Sequence, residues 1–214
     1  MNRRDLLKQI ALLTGGVVIG GEVFLTGCKS GPATEAGFTE ANIALLDEIG
    51  ETILPATSTP GAKAAKIGQF MRTIVNDCYE VKDQKIFTEG ISKLQEACKK
   101  SKSKYFMECS AAERQEFLTA LDKEAREYQK KKSDFDKQQQ EIQQKEQTDK
   151  GEKDPIKEEM PTHYFTMMKQ LTLWGFFTSK EGMMQALRYV PVPGKYEGCI
   201  DYKKGDKIQV GLDG

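Results

Sequence analysis

His163-Tyr164-Phe165-Thr166-Met167-Met168-Lys169-Gln170-Leu171-Thr172-Leu173-Trp174-Gly175 places apolar side chains on more than one side of a helical turn. A helix at a protein surface keeps an apolar stripe and a polar back, whereas one without a polar back has to be surrounded. This segment is therefore expected to be the central helix of an α domain. Pro161 is expected in its first turn, where a missing N–H costs little, and Gly175 is expected to close it.

If one helix is central, the others should each offer it a single apolar face. Phe38-Thr39 gives the first start signal, with Thr39 as cap and Phe38 stapling towards Ile43. Ile43, Leu46, Ile49 or Gly50, and Ile53 then repeat on one side until Pro55 stops the helix. The following Leu54-Pro55-Ala56-Thr57-Ser58-Thr59-Pro60-Gly61-Ala62 is expected to be a structured turn, since two prolines leave little freedom to lose. Phe70, Met71, Ile74, Val75 and Cys78 mark a second helix over about 67–79. Asp83 is expected to cap a third, with Phe87, Ile91, Leu94 and Cys98 on one stripe before the lysines from Lys99 to Lys104 turn to solvent.

Ser110-Ala111-Ala112-Glu113 is a capping box that opens a fourth helix. Leu118, Leu121, Ala125, Tyr128, Lys132, Phe135, Gln139 and Ile142 recur three and four apart like heptad core positions. Two of these eight are polar, so a helix that begins in the core and projects away fits better than an autonomous coiled coil. From Gln143 to Glu159 the chain is almost all Lys, Glu, Gln and Asp, which reads as a solvated excursion. Ser179 is expected to open a short helix through Met183, Met184, Leu187 and Tyr189, followed by an extended, turn-rich tail from Val190 to Cys199. The expected fold is all-α: an irregular helical bundle with one long projecting charged helix and an extended C-terminal tail. Residues 38–214 form this single domain, with the charged insertion at about 130–159.

The chain begins differently. Asn2-Arg3-Arg4-Asp5-Leu6-Leu7-Lys8 and the uncharged run from Ile10 to Gly21 resemble a twin-arginine export signal. Twelve residues suit a signal-peptide apolar region and fall short of the ~20 that span a bilayer as a helix. Leu25-Thr26-Gly27-Cys28 resembles a lipobox, so Cys28 is the expected lipidation site and residues 29–37 a tether. Glu22 places a charge near the cleavage site, where none is preferred, and cleavage elsewhere or not at all stays open. The protein is thus expected to be exported to the periplasm by the twin-arginine route and lipid-anchored, a route associated with folded cargo that often carries a cofactor or a partner.

Composition narrows the function classes. The whole chain has 32 basic and 32 acidic residues. Without the leader's Arg3, Arg4, Lys8, Asp5 and Glu22 the balance is 29 to 30, which gives no electrostatic footprint for nucleic acid. About 187 residues remain, enough for one domain with a core. Export would put Cys78, Cys98, Cys109 and Cys199 in an oxidising compartment. The expected pair is Cys78 with Cys199, tying the tail to the first helices; four reduced thiols packed as small hydrophobes are the alternative.

Catalytic signatures are missing from the sequence. There is no Cys-x-x-Cys pair or Cys-x-x-Cys-His haem attachment, and no dinucleotide, P-loop or nucleophile-elbow motif. His163 is the single histidine. With Met160, Met167 and Met168 it could frame a haem or copper site, but methionines at helical spacing are usually core filler.

The leader, Glu51-Thr52-Ile53-Leu54-Pro55-Ala56-Thr57 running into Thr59-Pro60-Gly61-Ala62, the helix from Phe70 to Tyr79, and Leu173-Trp174-Gly175-Phe176-Phe177-Thr178-Ser179 with the segment from Tyr189 to Tyr202 together resemble the gluconate 2-dehydrogenase subunit 3 family, over roughly 38–207. The resemblance implies a small non-catalytic subunit that accompanies a large flavin-containing dehydrogenase, often with a cytochrome c subunit, at the outer face of the cytoplasmic membrane. FAD, and haem c where present, would belong to those partners, with no cofactor in this chain and no catalytic residues to carry over. The lipobox and the excursion from Lys130 to Glu159 depart from the family pattern and leave the substrate open. A lipoprotein scaffold of a non-redox envelope assembly, and a stand-alone enzyme using His163, are the rival functions. Candidate partner contacts are Trp174, Phe176, Phe177, Tyr189 and Tyr196, because buried aromatic anchors dominate interface energetics.

Overall fold

A computed structural model describes residues 38–149, 159–191, 194, 199 and 201–210, with side chains from 143 to 149 left aside. The described residues fall within one compact unit, Gly37–Gly214. Arg3, Arg4, Cys28 and Tyr196 lie outside the described residues.

Five α-helices follow in order: α1 (Glu40–Ile53), α2 (Ile67–Cys78), α3 (Val81–Lys102), α4 (Ala111–Asp149) and α5 (Tyr164–Thr178). Short 3₁₀ turns occupy Ala62–Ala65 and Phe106–Glu108, and a π-turn covers Gly182–Ala186. The two-residue strands β1 (Arg188–Tyr189) and β2 (Gln209–Val210) pair in parallel, with Arg188 opposite Gln209 and Tyr189 opposite Val210. The domain is all-α in substance, as its periodicities predict.

The apolar segment at 164–178 is the hub. α5 touches all four other helices, the first 3₁₀ turn and the π-turn. Phe165, Met167, Met168, Leu171, Thr172, Gly175 and Phe176 are buried along it. Each large apolar side chain contributes roughly 1.5–3 kcal/mol on full burial, so packing outweighs any capping term in holding the helix. The one buried hydroxyl, on Thr172, donates to the Met168 carbonyl at 2.8 Å.

The surrounding helices begin and end largely where their sequence signals stand. Thr39 Oγ1 accepts from the Asn42 N–H at 3.2 Å. Phe38 is buried and stacks on Phe87 of α3, ring centroids 5.9 Å apart. Ser110 and Glu113 exchange the two bonds of the capping box. Glu51 organises the proline-rich turn: its carboxylate accepts from the Ala56 N–H at 2.8 Å and the Lys63 N–H at 2.9 Å. Burial along α4 takes in Leu118, Leu121 and Ala125, weakens at Tyr128 and Lys132, and gives way to exposure at Ile142.

Four boundaries differ from expectation, the first being the end of α5, which runs past the buried Gly175 to Thr178 because Gly175 packs against Phe70 rather than breaking the helix. α3 starts at Val81, two residues before Asp83, because the chain is already extended at Glu80; Asp83 sits in the first turn and its N–H donates to the Glu80 carbonyl. Pro161 lies outside α5, which begins at Tyr164 with His163 as its cap. The segment after Ser179 forms a single π-turn that ends at Leu187, because Arg188 and Tyr189 are drawn into β1.

Close approach at the hub depends on glycine. A Cβ on Gly90 of α3 would lie 2.4 Å from Tyr164 Cβ, and one on Gly175 would lie 2.5 Å from Phe70 Cδ1. On an open helix face, Gly→Ala is stabilising by roughly 0.4–1 kcal/mol. Gly90→Ala is expected to reverse that sign and lower stability by about 1–3 kcal/mol through overpacking, as a drop in thermal midpoint; an unchanged or raised midpoint would show that α3 and α5 are not held this close.

Candidate functional site

Two ends of α5 carry the chemistry worth weighing. At the N-terminal end, His163 has extended backbone geometry and its Nδ1 accepts from the Phe165 N–H at 3.2 Å, which satisfies one of the orphan donors of the helix start. The ring stacks on Tyr164 at 4.6 Å and leans on Tyr128 at 5.4 Å. Burial pulls its pKa below the ordinary histidine value; Glu124 opposes that pull and Lys93 adds to it. A Nδ1 that accepts a backbone N–H must be unprotonated, in keeping with the shift. Met167 and Met168 point into the core, which assigns them packing. Among the described residues, no group of three or more His, Cys, Asp or Glu side chains could hold a metal ion.

The C-terminal end is different because apolar surface is left uncovered there. Trp174 is 51% exposed and Phe177 40%, and they sit three residues apart, so they neighbour each other on the helix surface. Trp174 meets Phe70 of α2 edge-on at 5.4 Å, which fixes the indole against the domain while leaving much of it open. Phe176 is buried and serves the core, with Phe177 edge-on to it at 5.2 Å. The chain then doubles back: a Cβ on Gly182 would come within 2.0 Å of the Phe176 carbonyl oxygen, and Ser179 Oγ accepts from the Gly182 N–H at 3.0 Å.

Past that turn lies an open groove of ≈ 780 Å³, lined among others by Met184, Leu187, Tyr189, Tyr202 and Ile208. Met184, Tyr189, Tyr202 and Ile208 are all exposed there. Of the candidate contact residues, the structure leaves Trp174, Phe177 and Tyr189 available and removes Phe176. Met184 and Ile208 were missed by the sequence reading, because a lone exposed methionine or isoleucine carries no pattern of its own.

The four described thiols fall into two kinds. Cys78 and Cys199 are both exposed and unbridged, while buried Cys98 and Cys109 approach to 3.7 Å between sulfurs. Cys78 ends α2 on an exposed position, so the packing of the helices gives it no partner among the described thiols.

A family model described as gluconate 2-dehydrogenase subunit 3 matches residues 40–194, from the start of α1 past the end of β1. The chain belongs to the gluconate 2-dehydrogenase subunit 3 family. Comparison with curated proteins and with solved structures finds no match. As subunit 3 of a dehydrogenase family, the chain is a member of a multi-subunit complex by its family description. Among the described residues, no helix is long and apolar enough to cross a membrane.

The His163 cap makes a pH-dependent expectation. In the unfolded chain the imidazole takes up a proton near its ordinary value of 6.5, while in the folded chain it does so at lower pH. The unfolded state therefore binds more protons in that window, and stability falls as pH drops below about 6.5 until the folded group also protonates. His163→Asn, which keeps a capping acceptor, should flatten that part of the profile. His163→Ala should cost about 1 kcal/mol at pH 7.5 through the lost cap. Thermal midpoints across pH 5 to 8 check both, and a profile identical in the wild type and His163→Asn would refute the assignment.

Proposed function

We propose that the protein is a non-catalytic accessory subunit that is exported with, stabilises and membrane-tethers a periplasmic FAD-dependent sugar or alcohol dehydrogenase. The observation that carries this is the family match, which takes in the helical domain from α1 to β1. The leader adds the route: Arg3 and Arg4 for folded export and Cys28 for a lipid anchor. The flavin, and haem c where a cytochrome subunit is present, would then belong to the partner chains.

The exposed aromatics give the partner something to hold. Trp174 and Phe177 are rigid and apolar, and Trp174 is already fixed by Phe70, so little side-chain freedom is lost on docking. α4 beyond Tyr128 is a poor alternative, since its sequence is almost all charged and glutamine residues, with Phe135 and Ile142 the large apolar ones. Ion pairs on exposed helices contribute roughly 0–1 kcal/mol each, whereas a central aromatic anchor contributes about 2 kcal/mol or more.

Recovery from native membranes tests the proposal. Tagged wild-type chain is expected to bring down a large flavoprotein with flavin absorbance, and replacing Arg3 and Arg4 by Lys is expected to remove that partner from the periplasm. Trp174→Ala should lower recovery about tenfold or more while shifting the isolated domain's melt by a few degrees at most. Recovery of a partner without flavin would favour an envelope scaffold instead, and a collapsed melt in Trp174→Ala would return the indole to the core.

A further inference from the structure

Cys98 and Cys109 are brought together by structure that both their neighbourhoods build. Cys98 closes the buried stripe of Phe87, Ile91 and Leu94 on α3. Cys109 follows the 3₁₀ turn at Phe106–Glu108, and that turn is fixed from several sides. Gln95 Oε1 accepts from the Phe106 N–H at 3.1 Å, and Glu108 accepts from the Tyr105 N–H at 2.9 Å. Arg114 Nε donates to the Phe106 carbonyl at 3.0 Å, and the Cys109 N–H donates to that same carbonyl at 3.2 Å. The sulfurs end 3.7 Å apart, with Cys109 Sγ 3.5 Å from the Tyr105 carbonyl.

From this geometry we propose that Cys98 and Cys109 form an intramolecular disulfide when the chain meets a disulfide-donating oxidant. Bond formation requires the sulfurs to close from 3.7 Å to about 2.05 Å. Both thiols are buried, but Cys109 keeps 5% of its surface where Cys98 keeps none and sits beside a three-residue turn, so the first exchange is assigned to it. Burial pushes the Cys98 thiol up, which disfavours it as the initiating nucleophile, and its place 3.7 Å from Cys109 makes resolution of the mixed disulfide an intramolecular attack. Each thiol gives up its proton and one electron as the sulfur–sulfur bond forms. The two electrons and two protons pass to the disulfide of the exchange partner, which leaves as two thiols.

The bond would close a short loop containing Ser103 in the left-handed region and fasten the end of α3 to the start of α4. Its supply of oxidant in the cell rests on the export proposal, but its geometry does not. A twin-arginine substrate crosses the membrane folded, so the thiols would already be adjacent on arrival.

The full chain, incubated natively with oxidised glutathione, alkylated and digested without reductant, decides the matter. Lys99, Lys100, Lys102 and Lys104 let trypsin separate the two cysteines unless a bond joins them. The expected product is a linked Cys98–Cys109 peptide pair two hydrogens lighter than its parts, with Cys78 and Cys199 alkylated or carrying glutathione. The oxidised chain should melt about 5–10 °C above the reduced one. In Cys98→Ser, Cys109 should be left alkylated or as a glutathione adduct. If that variant fails to fold, the wild-type melts with and without reductant still report the bond. Recovery of both Cys98 and Cys109 alkylated, or both carrying glutathione, overturns the proposal. A bond that forms in vitro but is missing from chain alkylated at lysis of its native cells would count against export and leave the pair standing.

Discussion

A helix with no polar back has to be enclosed, and the rest of this domain is arranged to do that. α5 is covered by four helices and two turns at once, at separations that permit no side chain at Gly90 and little tolerance at Gly175. Between these neighbours the chain passes through 3₁₀ turns and a proline-rich corner. Polar groups then fasten the shell around the apolar centre. Arg114 of α4 pairs with Glu48 of α1 and donates to the Phe106 and Met107 carbonyls, so one guanidinium joins two helices and a turn. Lys63 reaches Glu48 at 2.7 Å; its hydrogen bond, followed by the Arg114 charge, outweighs burial and holds that carboxyl below its ordinary range.

How much of this was legible in the sequence depended on whether the signal was local. Helix identity was legible, because periodicity is a property of a dozen consecutive residues: the stripes through Ile43, Met71, Leu94 and Leu118 are buried as their spacing requires. The capping box at Ser110 was legible for the same reason. The cap at His163 was not, since histidine is an unusual N-cap and Pro161 offered a more familiar start. The approach of Cys98 to Cys109 was illegible in a deeper sense. Cys98 and Cys109 meet because Gln95, Arg114 and Glu108 place a 3₁₀ turn over the end of α3, and no spacing rule contains that turn.

The candidate site divides in the same way. That Trp174 and Phe177 are aromatic was plain; that Phe176 between them is buried while they are not follows from the phase of α5 relative to its neighbours. At about 100° per residue Trp174 and Phe177 fall about 60° apart and share the open face, while Phe176 is turned about 100° from Phe177 and about 160° from Trp174, towards the core. The groove beyond Met184 depends on β2 returning to β1 from twenty residues further along, through Arg188 N–H to the Ile208 carbonyl at 3.0 Å and Val190 N–H to the Val210 carbonyl at 2.9 Å. Two-residue strands leave no alternation to detect.

The charged excursion is attached at the N-terminal end of α5. Tyr128 Oη donates to the Pro161 carbonyl at 3.0 Å and Lys132 reaches the Met160 carbonyl, so the chain leaves the domain and re-enters it at one neck. That neck stands beside His163, at the N-terminal end of α5. Trp174 and Phe177 stand near the other end of the same fifteen-residue helix, at a rise of about 1.5 Å per residue. The helix therefore separates the two features by on the order of 15–20 Å, and a partner seated on the aromatic end has no need to touch the neck.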